Sequence, residues 1–243
     1  MKRTKLQTFW HWTKRIFLIL FISQFVYILA LKWVDPPITI TQLQNWISGN
    51  GLKRDYVDFN EMSPNIKLAV LASEDQKFPD HNGLDWKSID KAMDYNKRGK
   101  GVRGASTISQ QVAKNVFLWQ GRDYLRKGLE LYFTKMIEWI WGKKRILEMY
   151  LNVIEMGRGV FGVEAASQAY FNKKAINLTQ REAAMIAAAL PNPKMYTLKP
   201  VHSYILIRSQ QILRQMANLS GDEDILELTK ESAEKEKKKK TLK

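Results

Sequence analysis

The longest apolar run of the chain lies near its N-terminus, where residues 16–31 read IFLILFISQFVYILAL without a charge. Lys32 can extend its ammonium to the membrane surface and Trp33 can lie among headgroups, so the pattern predicts a transmembrane helix over residues 16–34. A cleaved signal peptide is the alternative. It fits less well, because the run ends in LALKWVDPP without a small-residue cleavage site.

Basic residues flank this run on one side. Residues 1–15 contain five lysines and arginines and no acid. The positive-inside rule then places residues 1–15 in the cytoplasm and everything after the span outside. The one-sided flank also argues against a buried core helix, so we expect a single-pass anchor.

Beyond the span, the spacing of apolar residues is mainly helical. Ser63 and Pro64 are typical of a helix start, and Ile66, Val70 and Glu74 then follow on one stripe. Similar spacing predicts helices over residues 107–118, 123–141, 144–152, 163–171, 179–190 and 203–219. Strand signals are few, and the fold class expected from the pattern is mainly α.

Composition divides the rest of the chain. Residues 35–62 begin with Asp35-Pro36-Pro37 and form a linker or membrane-proximal segment, while residues 63–220 carry the predicted helices. Residues 221–243 hold many acids and lysines and few apolar positions. They are predicted to be a charged tail that is disordered or a solvated helix.

The formal net charge of +15 predicts anionic partners, namely phosphates, nucleic acid or an acidic membrane face. The outward orientation removes nucleic acid from that set. The absence of cysteine excludes disulfides and thiolate metal sites, and three scattered histidines argue against a histidine-rich metal site.

Glu74 is the candidate general base. It continues an apolar stripe near a helix end, where burial would raise the pKa of its carboxyl and let it accept a proton near neutral pH. The alternative is a solvent-facing last turn. His81, in the loop that follows, is expected to anchor that loop by hydrogen bonds rather than to act as a ligand or base.

A polar helix face supplies candidate binding residues. Gln110, Gln111, Lys114 and Asn115 share one face, and Ser106 stands at the helix entrance. Amides bind sugar hydroxyls, an ammonium binds phosphate, and a hydroxyl at a helix entrance is typical of anion binding. An exposed polar face without a ligand is the alternative.

Two arginines and a glutamate follow at helical spacing. Arg122, Arg126 and Glu130 lie at i, i+4 and i+8, and the arginines together with Lys114 could clamp a diphosphate. A surface salt-bridge ladder is the alternative. Aromatic residues nearby suggest a membrane-interfacial surface, although core packing would claim some of them.

Together these segments resemble the peptidoglycan glycosyltransferases of glycosyltransferase family 51, over roughly residues 60–217. Five motifs of that family occur in order: ED-x-x-F-x-x-H-x-G-x-D at 74–85, G-x-S-T-I-x-Q-Q-x-x-K-N at 104–115, R-K-x-x-E at 126–130, and the segments 144–166 and 182–196. With one span and no transpeptidase domain, the chain resembles the monofunctional members of Gram-negative bacteria.

The resemblance implies a lysozyme-like helical domain with a small membrane-proximal lobe, which polymerises lipid II into glycan strands and releases undecaprenyl diphosphate. Glu74 maps onto the family's base. Glu130 maps onto its second carboxylate, which either orients cations or holds a divalent metal such as Mg or Mn. The remaining assignments are Lys114, Arg122 and Arg126 for the diphosphate and Ser106, Gln110, Gln111 and Asn115 for the cleft lining.

The resemblance also implies an inner-membrane enzyme with its catalytic domain in the periplasm, in contact with other cell-wall synthesis and division proteins and contributing to cell shape. Two other functions stay open at this point. One is a lysozyme-like lytic transglycosylase, which cleaves glycan strands and needs no diphosphate clamp. The other is an inactive membrane-anchored scaffold, against which the intact Glu74 and Glu130 argue.

Overall fold

The structure is a computed structural model that describes residues 5–99, 104–121 and 123–229. It divides into two units, Met1–Pro36 and Pro37–Lys243. The first unit contains one long helix, and the second contains the remaining helices and a small sheet.

Helix α1 (Lys5–Ala30) forms the first unit and has 26 residues. At a rise of about 1.5 Å per residue it is about 39 Å long, against about 30 Å for the hydrocarbon core of a bilayer. It is long and apolar enough to cross a membrane, which is consistent with the predicted anchor. It begins before the predicted residue 16 and ends before residue 34, because Lys32 and Trp33 bond back to Leu29 and Ala30 in tighter i→i−3 turns.

The described part of the second unit contains ten α-helices and three short strands. In chain order they are α2 (Ile40–Ile47), β1 (Lys53–Arg54), α3 (Pro64–Glu74), α4 (Trp86–Lys97), α5 (Ile108–Phe117), α6 (Tyr124–Ile140), α7 (Lys143–Val153), β2 (Glu155–Gly157), β3 (Val160–Phe161), α8 (Val163–Phe171), α9 (Gln180–Ala189), α10 (Ser203–Leu219) and α11 (Glu223–Thr229). The mainly α fold expected from the sequence is confirmed.

The core of this unit lies between two groups of helices. Helix α3 packs against α9 and α10, which also pack on each other, and α5 packs against α6 and α7. Ile66, Val70, Ile108, Ile146 and Ile212 are fully buried among them. Helix α9 is rich in buried alanines, which let neighbouring backbones approach closely. The packing brings the end of α3 beside α5.

The glycine-rich segment after α7 forms a sheet in the order β1-β3-β2. Strand β3 runs parallel to β1 and antiparallel to β2. Gly159 has φ +68°, and a Cβ on it would lie 2.3 Å from the carbonyl oxygen of Asn50. Only glycine fits there, so this position ties the sheet to the loop after α2.

The predicted charged tail needs correction. The boundary at residue 221 is too early, because residues Glu223–Thr229 form helix α11, which packs against α3. Asp222 accepts the Ile225 N–H and so starts the helix, and the Ile225 side chain is 1% exposed. Ile225 and Thr229 are both buried, so two side chains dock a segment whose composition indicates a solvated chain. Residues 230–243 lie outside the described residues.

The predicted aromatic surface is divided between core and solvent. Trp141 is buried, and Phe133 stacks on Phe117 with ring centroids 4.7 Å apart. Tyr124 and Trp139 remain 98% and 75% exposed. An interfacial role for the exposed rings stays a prediction.

Candidate active site

Glu74 is the last residue of α3, which begins as predicted with Ser63 as N-cap and Pro64 in the first turn. The Glu74 carboxylate accepts a hydrogen bond from the Gln111 amide, with Nε2 and Oε2 2.9 Å apart. Burial raises the pKa of Glu74, and the Gln111 hydrogen bond and the positive charge of Arg208 oppose that rise. The result is a partly exposed carboxyl that is easier to protonate than an ordinary glutamate.

The loop after Glu74 is held by its neighbour Asp75. His81 Nδ1 accepts the Gly83 N–H, so the ring proton lies on Nε2, which donates to the Asp75 carboxylate at 3.1 Å. Asp75 also accepts the backbone N–H of Ile108 at 3.0 Å. His81 is thus a hydrogen-bonding anchor in this geometry, and Asp75 joins the loop to the first turn of α5.

Gly83 closes this loop against α5 and α6. Its φ is +88°, and a Cβ on it would lie 2.6 Å from Cγ2 of Thr134. Its carbonyl oxygen accepts a hydrogen bond from the Thr107 hydroxyl at 2.7 Å. Glycine is therefore required both for the backbone conformation and for the close approach to α6.

The entrance of α5 is a capping box. Thr107 accepts the Gln110 N–H, and the Gln110 amide oxygen accepts the Thr107 N–H at 3.0 Å. Gln110, predicted to line the cleft, does so, but its oxygen is already engaged in this cap. Gln110 therefore both caps the start of α5 and lines the cleft.

Three cationic side chains surround Glu130. Glu130 is buried and accepts from Arg126 Nη1 at 2.8 Å and from Lys127 Nζ at 2.5 Å. Lys114 lies near the same carboxylate. Burial lowers the pKa of Lys114, and the charge of Glu130 opposes that decrease. The predicted i, i+4 pair is thus a buried ion pair rather than a surface ladder.

Two cavities meet at the face of α5. One has a volume of about 460 Å³ and the other about 530 Å³, and Gln111, Lys114 and Gln120 line both. The larger also contains the side chains of Ser106, Gln110, Arg126, Lys127 and Glu130. The smaller is also lined by Asn115 on α5 and, from other segments, by Thr41, Gln44, Asn45, Glu155 and Lys194.

Glu74 is not among the residues that line these two cavities. Its partly exposed carboxylate is hydrogen-bonded to Gln111, which lines both. Of the predicted residues, Ser106, Gln110, Gln111, Lys114, Asn115, Arg126 and Glu130 line the cleft formed by the two cavities. Arg122 lies outside the described residues, and its role as a diphosphate ligand stays a prediction.

The donor set around Glu130 does not fit a divalent metal. Both of its carboxylate oxygens already accept from cationic side chains. Among the described residues, no group of three or more metal-ligating side chains occurs. A cation-orienting role for Glu130 fits this arrangement, whereas Mg or Mn would have to displace Arg126 and Lys127.

Several cleft residues were not predicted from the sequence. Lys194 Nζ donates to Asn45 Oδ1 at 3.0 Å, and Asn45 Nδ2 donates to Glu155 at 3.4 Å. Glu155 falls within the fourth motif and Lys194 within the fifth, and the motifs alone give neither residue a role. Asn45 precedes every motif. Its only local signal is the polar side of the short amphipathic helix α2.

Comparison with known proteins agrees with this geometry. A family model described as Transglycosylase matches residues 40–217, and so begins earlier than the resemblance seen in the motifs. Proteins named biosynthetic peptidoglycan transglycosylase are similar over most of their length. One from Bdellovibrio bacteriovorus is 45% identical, covering 88% of this chain and 88% of the relative. One from Yersinia pseudotuberculosis is 46% identical, covering 90% and 94%.

A relative from Shewanella oneidensis is 44% identical and covers 86% of this chain and 91% of its own length. The range matched by the family model includes every residue that lines the two cavities, from Thr41 to Lys194. The chain therefore belongs to the transglycosylase family, which confirms the family and the enzyme class predicted from its motifs.

Proposed function

We propose that the enzyme polymerises lipid II into peptidoglycan glycan strands, with Glu74 as the general base and undecaprenyl diphosphate as the leaving group. The carrying observation is the pairing of a partly buried carboxyl with a cleft that gathers Lys114, Arg126 and Lys127. The names of the relatives identify the polymer as peptidoglycan. The cations in the cleft support a substrate that carries a diphosphate.

The proton transfer begins at the acceptor. Glu74 takes the proton from the 4-hydroxyl of the acceptor's N-acetylglucosamine, and that oxygen attacks the anomeric carbon of the lipid-linked N-acetylmuramic acid. A raised pKa suits this step, because a base with a pKa nearer the working pH accepts a proton more effectively. A single displacement inverts the configuration at that carbon.

The bond between the anomeric carbon and the diphosphate oxygen breaks as the new bond forms. Negative charge then accumulates on the diphosphate, so the leaving group needs cations rather than a proton. Lys114 and Arg126 are placed to supply that charge, and Glu130 holds Arg126 and Lys127 in position. Preorganised charges of this kind typically contribute about 100- to 1000-fold in rate each. Arg122 is proposed to join them.

The proposed base is tested by measuring lipid II polymerisation with purified wild-type enzyme and Glu74→Gln. We expect a loss of at least about 100-fold in kcat, within the range for a positioned general base. Glu61→Gln, an exposed glutamate in the turn before α3, is the matched control and should keep the wild-type rate. Undiminished polymerisation by Glu74→Gln rejects the base assignment.

The lytic alternative is tested with purified sacculi. A lytic enzyme needs no cation cluster for a diphosphate, and the buried Arg126–Glu130 arrangement therefore favours synthesis. Release of soluble muropeptides from sacculi, without polymer from lipid II, would favour lysis. Inhibition of polymerisation by moenomycin, which the family resemblance implies, would support synthesis.

The proposed location is the inner membrane, with the N-terminus in the cytoplasm and the cleft in the periplasm. The support is α1 and the basic residues that precede the apolar run. The chain has no cysteine, so single probes can be introduced cleanly. In spheroplasts, an impermeant maleimide should label Ser220→Cys and not Thr4→Cys, and the reverse pattern would overturn this topology.

A further inference from the structure

We propose that Tyr150 is a positioning residue that holds the Gln111 amide in the orientation Glu74 requires. The inference rests on the proposed role of Glu74 as base and goes one step further into the protein. Tyr150 lies on α7, outside the cleft, and touches the reaction only through Gln111.

Three helices contribute to this arrangement. The Tyr150 hydroxyl on α7 donates to Gln111 Oε1 at 3.3 Å, and Gln111 Nε2 on α5 donates to Glu74 Oε2 on α3 at 2.9 Å. Tyr150 is fully buried. The tyrosine and the glutamate therefore bind opposite ends of one amide.

The chemistry of the three groups fixes the direction of both bonds. An ionised carboxylate can only accept, so the NH₂ end of Gln111 faces Glu74 and the carbonyl end faces Tyr150. Among the described residues, Gln111 Oε1 is the acceptor for the Tyr150 hydroxyl proton. Turning the amide over would leave that buried proton without this acceptor, which is unfavourable because a buried donor then loses its hydrogen bond. Tyr150 thus favours the orientation that serves the base.

The distance from Tyr150 to Gln111 is longer than an ordinary O–H···O bond. Hydrogen bonds in substrate-free active sites are often long and tighten when the substrate binds. Gln111 lines both cavities, so a sugar entering either one would press on the same amide. The Gln111 side chain would then contact the sugar while its Oε1 atom stays hydrogen-bonded to Tyr150.

The protonation of Glu74 depends on this amide. Three charged groups act on Glu74, namely Asp75 beside it, Lys114 from α5 and Arg208 from α10, and the titratable Tyr150 faces it from α7. Burial raises the pKa of Glu74, and the Gln111 hydrogen bond is the strongest of the influences that lower it. If the amide turned its oxygen toward Glu74, that hydrogen bond would instead favour the protonated carboxyl, and less base would exist at neutral pH.

The test is the pH dependence of kcat/KM for lipid II with the full-length enzyme and Tyr150→Phe. In Tyr150→Phe the acid limb of the profile should move to higher pH. Below that limb kcat/KM should fall about tenfold relative to wild type, because a one-unit shift corresponds to a factor of ten. At high pH the loss of kcat/KM should be smaller. Tyr170→Phe is the matched control. Its hydroxyl donates to the Met156 carbonyl oxygen at 3.2 Å, away from Gln111, and it should keep the wild-type profile.

A double-mutant cycle separates positioning from a general structural effect. Once Gln111→Ala has removed the amide, adding Tyr150→Phe should reduce the residual rate no further. Additive losses, or a Tyr150→Phe enzyme whose acid limb stays at the wild-type pH, would overturn the inference even if thermal unfolding shows a lower Tm. Wild-type activity of Glu74→Gln would instead overturn the proposed function itself.

Discussion

The carboxylate of Asp75 accepts the backbone N–H of Ile108 at 3.0 Å, and this bond joins the residue after α3 to the first residue of α5. Glu74 precedes Asp75 in the chain, and Gln111 lies about one turn into α5. The bond therefore sets the distance across which the proposed base meets its hydrogen-bond donor. His81 binds the same carboxylate and brings the following loop into the arrangement.

Asp75→Ala should impair both folding and activity, because it leaves the buried Ile108 N–H and the His81 ring without their acceptor. We expect a loss of about 3 kcal/mol in the free energy of unfolding, the sum of two bonds to a charged group. Urea unfolding measures this loss. Asp85→Ala, which removes the N-cap of α4 and an exposed hydrogen bond from the Ser88 hydroxyl, should cost about 1 kcal/mol. Equal losses in the two variants would contradict the linking role of Asp75.

Glu74→Gln should stabilise the protein at neutral pH. Burial raises the pKa of Glu74 above that of an ordinary glutamate, so the folded state binds this proton more tightly than the unfolded state. Stability from this group is present below the unfolded pKa and is lost as pH rises through the folded pKa. The glutamine has no such loss. Its Tm should exceed the wild-type Tm at pH 7.5, with the gap closing toward pH 4.

One result of the same Tm measurements would contradict this prediction. A gap of unchanged size at every pH would show that Glu74 does not titrate differently in the folded and unfolded states. Removing a functional group commonly stabilises an enzyme while it abolishes activity. Activity and Tm should therefore change in opposite directions in this variant.

Lys114→Met should abolish most activity and leave the fold intact. Burial lowers the pKa of Lys114, so replacing it with an apolar chain of similar length removes a desolvated charge at little structural cost. We expect kcat/KM for lipid II to fall at least about 100-fold. Lys194→Met, in the lining of the smaller cavity, is the comparison and should lose less than about tenfold, because its ammonium is part of an exposed network. Similar losses in both would contradict a diphosphate clamp centred on Lys114.

Glu130→Ala should reduce both activity and stability, since it leaves the buried guanidinium of Arg126 without its counter-ion. Breaking a buried pair from one side costs about 3–5 kcal/mol. Glu148→Ala breaks the half-buried pair with Arg145 outside the cleft and should lower the Tm without a specific loss of rate. If a chelator lowered the polymerisation rate of the wild-type enzyme and added Mg or Mn restored it, that result would contradict the cation-orienting role of Glu130.

Truncation tests the short helix near the C-terminus. A chain ending at residue 229 retains α11 and should keep the wild-type Tm and activity. A chain ending at residue 222 removes Ile225 and uncovers part of α3, the helix that ends at Glu74. Losing one buried isoleucine side chain costs about 2–5 kcal/mol. Equal Tm values for the two chains would show that α11 does not stabilise α3.

The sequence allowed much of the fold and cleft to be predicted, because both depend on local periodicity. Ser63 and Pro64 marked the start of α3, and the spacing along α5 put Gln111 and Lys114 on one face. The Tyr150 contact could not be found in this way, since its partner lies on another helix and only tertiary packing brings the two together. The Lys194–Asn45 bond joins residues 149 positions apart, for the same reason.

Other misses came from composition overriding a local signal. The segment around Ile225 is so charged that its composition predicts a solvated chain, although Ile225 and Thr229 are buried. The polar helix face predicts Gln110 only as a ligand-binding amide, although Thr107 three residues earlier is the partner expected in a capping box. Both signals were visible in the sequence, but their importance depended on what packed against them.

The shared wall of the two cavities carries a consequence for inhibitor chemistry. Amides, hydroxyls and charged groups make up most of the cleft surface, with Ile154, Leu190 and Pro193 as its apolar minority. An apolar aromatic compound would displace water from these groups without replacing the hydrogen bonds that the water makes. Each hydrogen bond lost in this way weakens the affinity. Compounds that block this enzyme should resemble sugars and acidic esters more than conventional oral drugs.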